Sequence, residues 1–222
     1  MPALRRFRFW QNVARVGIFD QKYFLVRQNL RKVERNIHTI ELMDHHDHVA
    51  LLRLAALRSG GSWADLGAGS GAFTLALREL VGAQAELYAV DRERSRLGEL
   101  ERVWRTRFGD TTGLHLLSAD FTRPLDLPAL DGVLMANSLH FYKDKEHVLL
   151  QAGSFLKPGG VLLLVEYNVD SGNIWVPHPL SFETFRVLAV RAGFSTPRLL
   201  GTYPSNFLRG FYSAEAFLDA KD

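Results

Sequence analysis

Ala64-Asp65-Leu66-Gly67-Ala68-Gly69-Ser70-Gly71-Ala72-Phe73-Thr74 is the most informative stretch of the chain. A short apolar run ends at Leu66, glycines follow at 67, 69 and 71, and a helix-like apolar segment begins at Ala72. A strand, a glycine turn and a helix in that order let the backbone approach a ligand closely, because glycine has no Cβ to hold the ligand away. The spacing G-x-G-x-G differs from the dinucleotide fingerprint, in which the third glycine stands three residues after the second, and so argues against NAD. Asp65 would repel a pyrophosphate and attract a cation.

Two further strand ends extend this pattern. Leu87-Tyr88-Ala89-Val90-Asp91 closes on an acid 20 residues past Gly71, where a carboxylate can accept both hydroxyls of a ribose. Leu116-Leu117-Ser118-Ala119-Asp120-Phe121 closes on an acceptor for an exocyclic amine, with an aromatic neighbour able to stack. Adenine would satisfy both, and a positively charged adenine nucleoside fits the three ends taken in order.

Apolar runs and amphipathic segments alternate along the body. Strands are expected near 62–67, 86–91, 114–120, 131–137 and 160–168, and helices near 71–81, 92–107, 143–156 and 181–192, a βαβ series. An earlier helix begins at Asp44, capped with the help of Asp47, and ends near Gly60. The run Val161-Leu162-Leu163-Leu164-Val165 suits a parallel strand covered on both faces, hence a doubly wound sheet. Arg198 to Tyr203 and Phe207 to Phe217 are joined by Pro204-Ser205-Asn206, too short for a parallel crossover, and should pair as an antiparallel hairpin.

Composition narrows the function classes. With 222 residues, 47% of them apolar and 23% charged, the chain has the makings of a folded globular domain. It has no cysteine, which excludes disulfides, thiolate metal sites and cysteine nucleophiles, including those that methylate C5 of a pyrimidine. No apolar run approaches the ~18 residues of a spanning helix, and no secretory signal opens the chain, so a cytoplasmic location is expected.

Charge divides the chain unequally. Residues 1–42 carry nine Lys/Arg and three acids, a net of +6, while residues 43–222 carry eighteen basic and twenty-one acidic residues, a net of −3. The basic balance therefore belongs to the leader, and it does not argue for nucleic acid. Residues 1–42 read as a basic N-terminal extension and 43–222 as the functional domain. Three readings of the extension stay open: a dispensable segment with a natural start at Met43, a pair of docking helices, or a peripheral membrane or partner contact.

The glycine turn and strand-end acids together resemble class I S-adenosylmethionine-dependent methyltransferases, over about residues 44–217. The resemblance implies a Rossmann-like α/β sheet of seven strands in the order 3-2-1-4-5-7-6, the last antiparallel, with helices on both faces. It implies S-adenosyl-L-methionine as cofactor, with Gly67, Ala68, Gly69 and Gly71 shaping the methionine-side loop and Asp65 supporting it. It further implies that Asp91 holds the ribose, that Asp120 and Phe121 hold adenine, that Arg92 flanks the purine, and that Asn137 borders the donor. Lys157-Pro158-Gly159-Gly160 matches the family's turn before the fifth strand.

Acceptor-side candidates follow the fourth and fifth strands. Asp131-Gly132-Val133-Leu134-Met135-Ala136-Asn137-Ser138-Leu139-His140 ends beside the reactive methyl in this fold. Enzymes of the family that methylate amino groups of nucleic acids carry Asn or Asp, two prolines and an aromatic residue here, and Asn137-Ser138-Leu139-His140 departs from that. His140 and Glu166 are the candidate proton acceptors, since a neutral histidine can take a proton from an attacking hydroxyl or acidic carbon. Residues 173–179 would border the acceptor pocket. Lys143-Asp144-Lys145-Glu146 reads as a solvated helix start. His45, His46 and His48 with Asp44 and Asp47 do not form a converging ligand set, and no metal is expected.

The layout resembles the small-molecule branch of the family, whose acceptors include quinones and lipids. The expected function is methyl transfer to such a small molecule by in-line displacement. The alternatives are a non-catalytic S-adenosylmethionine-binding regulator and another transferase using a related sulfonium nucleoside.

Overall fold

A computed structural model describes residues 43–205 and 208–220. Expectations about residues 1–42 lie outside the described residues. The chain runs α1 (His45–Leu52), β1 (Ser62–Leu66), α2 (Ala72–Val81), β2 (Glu86–Asp91), α3 (Arg94–Phe108), β3 (Leu114–Ser118) and β4 (Leu130–Ala136). A single 3-10 turn (Leu139–Phe141) then leads into α4 (Lys145–Ser154), β5 (Leu156–Tyr167), α5 (Phe182–Arg191), β6 (Arg198–Tyr203) and β7 (Phe211–Phe217). The seven strands form one sheet in the order β3-β2-β1-β4-β5-β7-β6. β1 to β5 pair in parallel, and β7 is antiparallel to both neighbours, as the short β6–β7 link requires.

Burial on both faces explains the unbroken apolar run in β5. Leu162 and Leu164 join one core with Val148, Leu149 and Ala152 of α4 and Phe185 and Ala189 of α5. Val161, Leu163 and Val165 join the other, with Leu52 of α1, Leu77 of α2 and Leu100 and Trp104 of α3. Successive side chains of a strand point to opposite faces, so a central strand needs apolar residues at every position.

Three boundaries differ from expectation. The capping box at α1 forms, Asp47 N donating to Asp44 Oδ1 at 3.0 Å and Asp44 N to Asp47 Oδ2 at 3.2 Å, but the helix stops at Leu52 rather than near Gly60. The next backbone groups are claimed from a distance: Ala56 N donates to Glu215 Oε2 at 2.7 Å, and Arg198 Nη2 donates to the Leu54 carbonyl at 3.0 Å. Local apolar spacing carries no trace of such long-range partners. The fourth helix ends at Ser154, and β5 already begins at Leu156, paired with Leu130 ahead of a register shift. β7 begins at Phe211 rather than Phe207.

Candidate functional site

The parallel strands bring the ends of β1, β2, β4 and β5 to one edge of the sheet, where side chains 60 to 166 residues along the chain converge. Gly67, Gly69 and Gly71 all have positive φ, at 88°, 55° and 90°. A Cβ on Gly67 would sit 2.4 Å from Ser138 Cβ, and one on Gly71 would sit 2.2 Å from Leu100 Cδ1, so these two glycines let the loop close on β4's exit and on α3. A Cβ on Gly69 would meet nothing within 4 Å. Gly69 therefore faces open space, and its neighbours hold it there.

Asp91 ties the loop to the second strand. Its Oδ2 accepts from Gly69 N at 2.8 Å and its Oδ1 from Glu93 N at 2.8 Å, at the entrance to α3. Each carboxylate oxygen has a second lone pair, so this residue can fix the loop and still accept two hydroxyls. Asp120 accepts from Thr122 N and Oγ1 at 3.1 and 2.7 Å on one oxygen and from Arg92 Nη2 at 2.6 Å on the other. Partial burial opposes its ionisation, but Thr122 and Arg92 together hold its carboxyl below the usual range. Phe121 is buried under the loop and meets the Tyr142 ring edge-on at 5.3 Å, while Arg92 lies over that ring at 5.6 Å.

Asp65 is turned inward, 3% exposed, and accepts from Thr74 Oγ1 of α2 at 2.6 Å. Burial pushes its carboxyl up to about 7, against the Thr74 hydrogen bond and with help from the nearby charge of Asp91. A cation beside it would favour the ionised form.

The acceptor-side edge is built on a buried pair. His140 Nδ1 lies 2.8 Å from Glu166 Oε1, and Glu166 also accepts from the main-chain N of His140 at 3.1 Å and of Tyr167 at 2.9 Å. Glu166 is fully buried and His140 is 3% exposed. A carboxylate only accepts, so the ring proton sits on Nδ1 and Nε2 keeps a lone pair for a proton. The pairing Ala136↔Val165 sets the two residues side by side although 26 positions separate them. Asn137 adopts φ 53°, and its Oδ1 is buried without a hydrogen-bond partner in the protein.

An open glycine, spare lone pairs on Asp91 and an orphaned oxygen on Asn137 form a donor set that fits a nucleoside carrying an ammonium group. A sequence profile described as a methyltransferase domain matches residues 64–162. Those residues are similar to a methyltransferase domain.

That match supports a methyltransferase enzyme, and S-adenosylmethionine is the methyl donor that goes with it. The methyltransferase domain is similar to solved structures at low identity. An S-adenosylmethionine-dependent methyltransferase from Aquifex aeolicus gives a TM-score of 0.61 at 19% identity, over 78% of this chain and 89% of that one. Human N-acetylserotonin methyltransferase, solved with S-adenosylmethionine, gives 0.58 at 19% identity, over 78% of this chain and 52% of that one. A [4+2]-cyclase gives 0.64 at 14% identity, over 80% of this chain and 82% of that one. At these identities the likeness establishes the fold alone. No curated protein matches the chain.

Several contributors to the methyltransferase site went unread in the sequence. Ser138 Oγ donates to the Leu66 carbonyl at 2.6 Å and locks β4's exit to β1. Thr74 holds Asp65, and Tyr142 bridges the Arg92–Phe121 corner and the His140 turn. Lys145, read as solvated, is 7% exposed, because the main chain folds back and Nζ donates to the Tyr142 carbonyl at 2.7 Å. Of the N-terminal histidines, His45 pairs with Glu79 at 2.7 Å and His48 packs on Phe73; among the described residues no three ligand-type side chains converge.

Proposed function

We propose that the domain methylates a small, partly apolar acceptor, that His140 takes the proton the acceptor loses, and that Glu166 positions His140. The buried His140–Glu166 pair carries this reading. When bound, S-adenosylmethionine supplies a methyl group that an acceptor lone pair attacks in line while the sulfur keeps the electrons of the breaking bond. Glu166 spends its oxygens on His140 Nδ1 and on the main-chain N of His140 and Tyr167, so its part is to fix the ring and favour the protonated imidazole as it forms. His140 receives the proton on Nε2.

Asn137 Oδ1 and Asp65 are assigned to the ammonium end of the donor, the loop of Gly67, Ala68, Gly69 and Gly71 to its methionine side, and Asp91 to the ribose. Asp120, Phe121 and Arg92 are assigned to the adenine corner. The apolar character of the acceptor rests on Phe141, Ile174 and Trp175, which are 60%, 86% and 41% exposed. They lie on two loops joined where His178 N donates to the His140 carbonyl at 3.0 Å. Such side chains suit a quinone- or lipid-like molecule. No helix among the described residues is long and apolar enough to cross a membrane. A cytoplasmic enzyme with its functional domain at 43–222 and a separate basic extension at 1–42 is part of the same proposal.

The test is incubation with methyl-labelled donor and a panel of phenols, hydroquinones and other small nucleophiles. Label should pass to at least one acceptor in the wild type and not in His140→Ala. Tight donor binding with no labelled product from any acceptor would favour the regulatory alternative and end the catalytic reading.

A further inference from the structure

The start of α4 contains a charge that a solvated helix end has no reason to bury. Lys145 is 7% exposed, its Nζ donates to a main-chain carbonyl, and no described carboxylate pairs with it. An ammonium has three N–H donors, and a buried one is costly unless its charge is met. Burial accordingly pulls Lys145 below the usual lysine range, with the charges of Glu166 and Asp170 only partly opposing this.

Lys145 lines a cavity of about 460 Å³ between the start of α4, the 170–180 loop and α5. Three carboxylates also line it, and two are occupied: Asp144 Oδ1 caps His147 N at 3.1 Å, and Asp170 accepts from Ser181 N at 2.9 Å and Ser181 Oγ at 2.8 Å. Glu146, the third, is partly exposed in the first turn of α4. Lys143, Lys145 and His178 bring donors to the same cavity, and Pro177, Pro179 and Leu188 give it an apolar wall.

We propose that this cavity binds a small organic carboxylate, its anionic oxygens on Lys145 and its apolar body against Leu188 and the two prolines. The site is joined to the methyl-transfer edge by two main-chain contacts. Lys145 holds the Tyr142 carbonyl at 2.7 Å, and His178 N holds the His140 carbonyl at 3.0 Å, so both walls hang on the turn that carries His140. The carboxylate is supplied either by the methyl acceptor itself or by a separate ligand.

Full-length protein, alone and saturated with S-adenosylhomocysteine, is titrated calorimetrically with benzoate and with benzylamine. Saturable benzoate binding in the roughly millimolar range is expected, with none for benzylamine. Lys145→Met should weaken benzoate by ~10-fold or more, with S-adenosylhomocysteine affinity on the same sample unchanged as a report of intact folding. Should Lys145→Met fail to fold, Leu188→Glu, which keeps the ammonium and charges the opposite wall, must weaken benzoate to the same degree. Absence of saturable benzoate binding, equal binding of benzylamine, or equal binding by the variants overturns the proposal.

In turnover assays, benzoate that raises KM for the acceptor without changing kcat assigns the carboxylate to the acceptor. Benzoate that leaves KM unchanged assigns it to a separate ligand. The binding arm needs no methyl transfer, so this site and the catalytic reading fail independently.

Discussion

At the tips of β1, β2 and β3 three carboxylates each have partners of their own: Asp65 has Thr74, Asp91 has the amides of Gly69 and Glu93, and Asp120 has Thr122 and Arg92. At the tips of β4 and β5 one fully buried carboxylate serves a histidine 26 residues away. The donor edge spreads its hold over three carboxylates, Asp65 buried and Asp91 and Asp120 partly exposed, so the loss of one weakens binding without undoing it. The acceptor edge relies on one pair, and removing either partner leaves the other buried without its complement.

That contrast is open to measurement. Glu166→Gln and His140→Ala should each lower kcat by ~10²–10⁴-fold with donor affinity within a few-fold of wild type, read by single-turnover kinetics and calorimetry. A parallel loss of donor binding would mean that the two edges are not separable. Asp91→Ala comes next: losing two charge-assisted amide contacts and the ribose acceptor should weaken S-adenosylhomocysteine by ~100-fold, about 2.7 kcal/mol, in the same calorimetric assay.

Asp65 gives a prediction with opposite signs for stability and binding. Its carboxyl moves from 3.8 to about 7 on folding, so the folded chain holds its proton over that window while the unfolded chain has lost it. Stability of the donor-free protein should therefore fall as pH rises from about 4 through about 7 and then level off. Asp65→Asn should remove this slope and raise stability at pH ~8 by a few kcal/mol in denaturant titrations, while weakening the donor by ~10-fold. A variant less stable than wild type at that pH would show that the Thr74 contact outweighs the buried charge. Arg92, 58% exposed at its side chain, has the least to give: Arg92→Ala should weaken the donor only ~2–5-fold, and less so at high salt.

The same division explains what was legible beforehand. The glycine loop and the acids at 65, 91 and 120 could be singled out because each is marked by short-range spacing, a strand end followed by a turn, and the sheet order came from the family resemblance that this series carries. Asn137, His140 and Glu166 were identifiable as strand-exit residues, but their joining depends on the β4–β5 register, which no local pattern encodes. The end of α1 was misjudged for the same reason, since Glu215 and Arg198 claim its downstream backbone from β7 and β6. Lys145 was misread because a run of alternating charges looks solvated until the chain is seen folding Tyr142 back over it.

The register between β4 and β5 has a consequence for how such an enzyme diversifies. Because adjacent strands hold His140 and Glu166 together, the intervening excursion through α4 is free of the task of aligning them. That excursion can be lengthened or recut while His140 and Glu166 stay paired across the two strands. Under the roles proposed above, reaction and selectivity ride on separate pieces of the polypeptide, and a new preference can be acquired without rebuilding the chemistry.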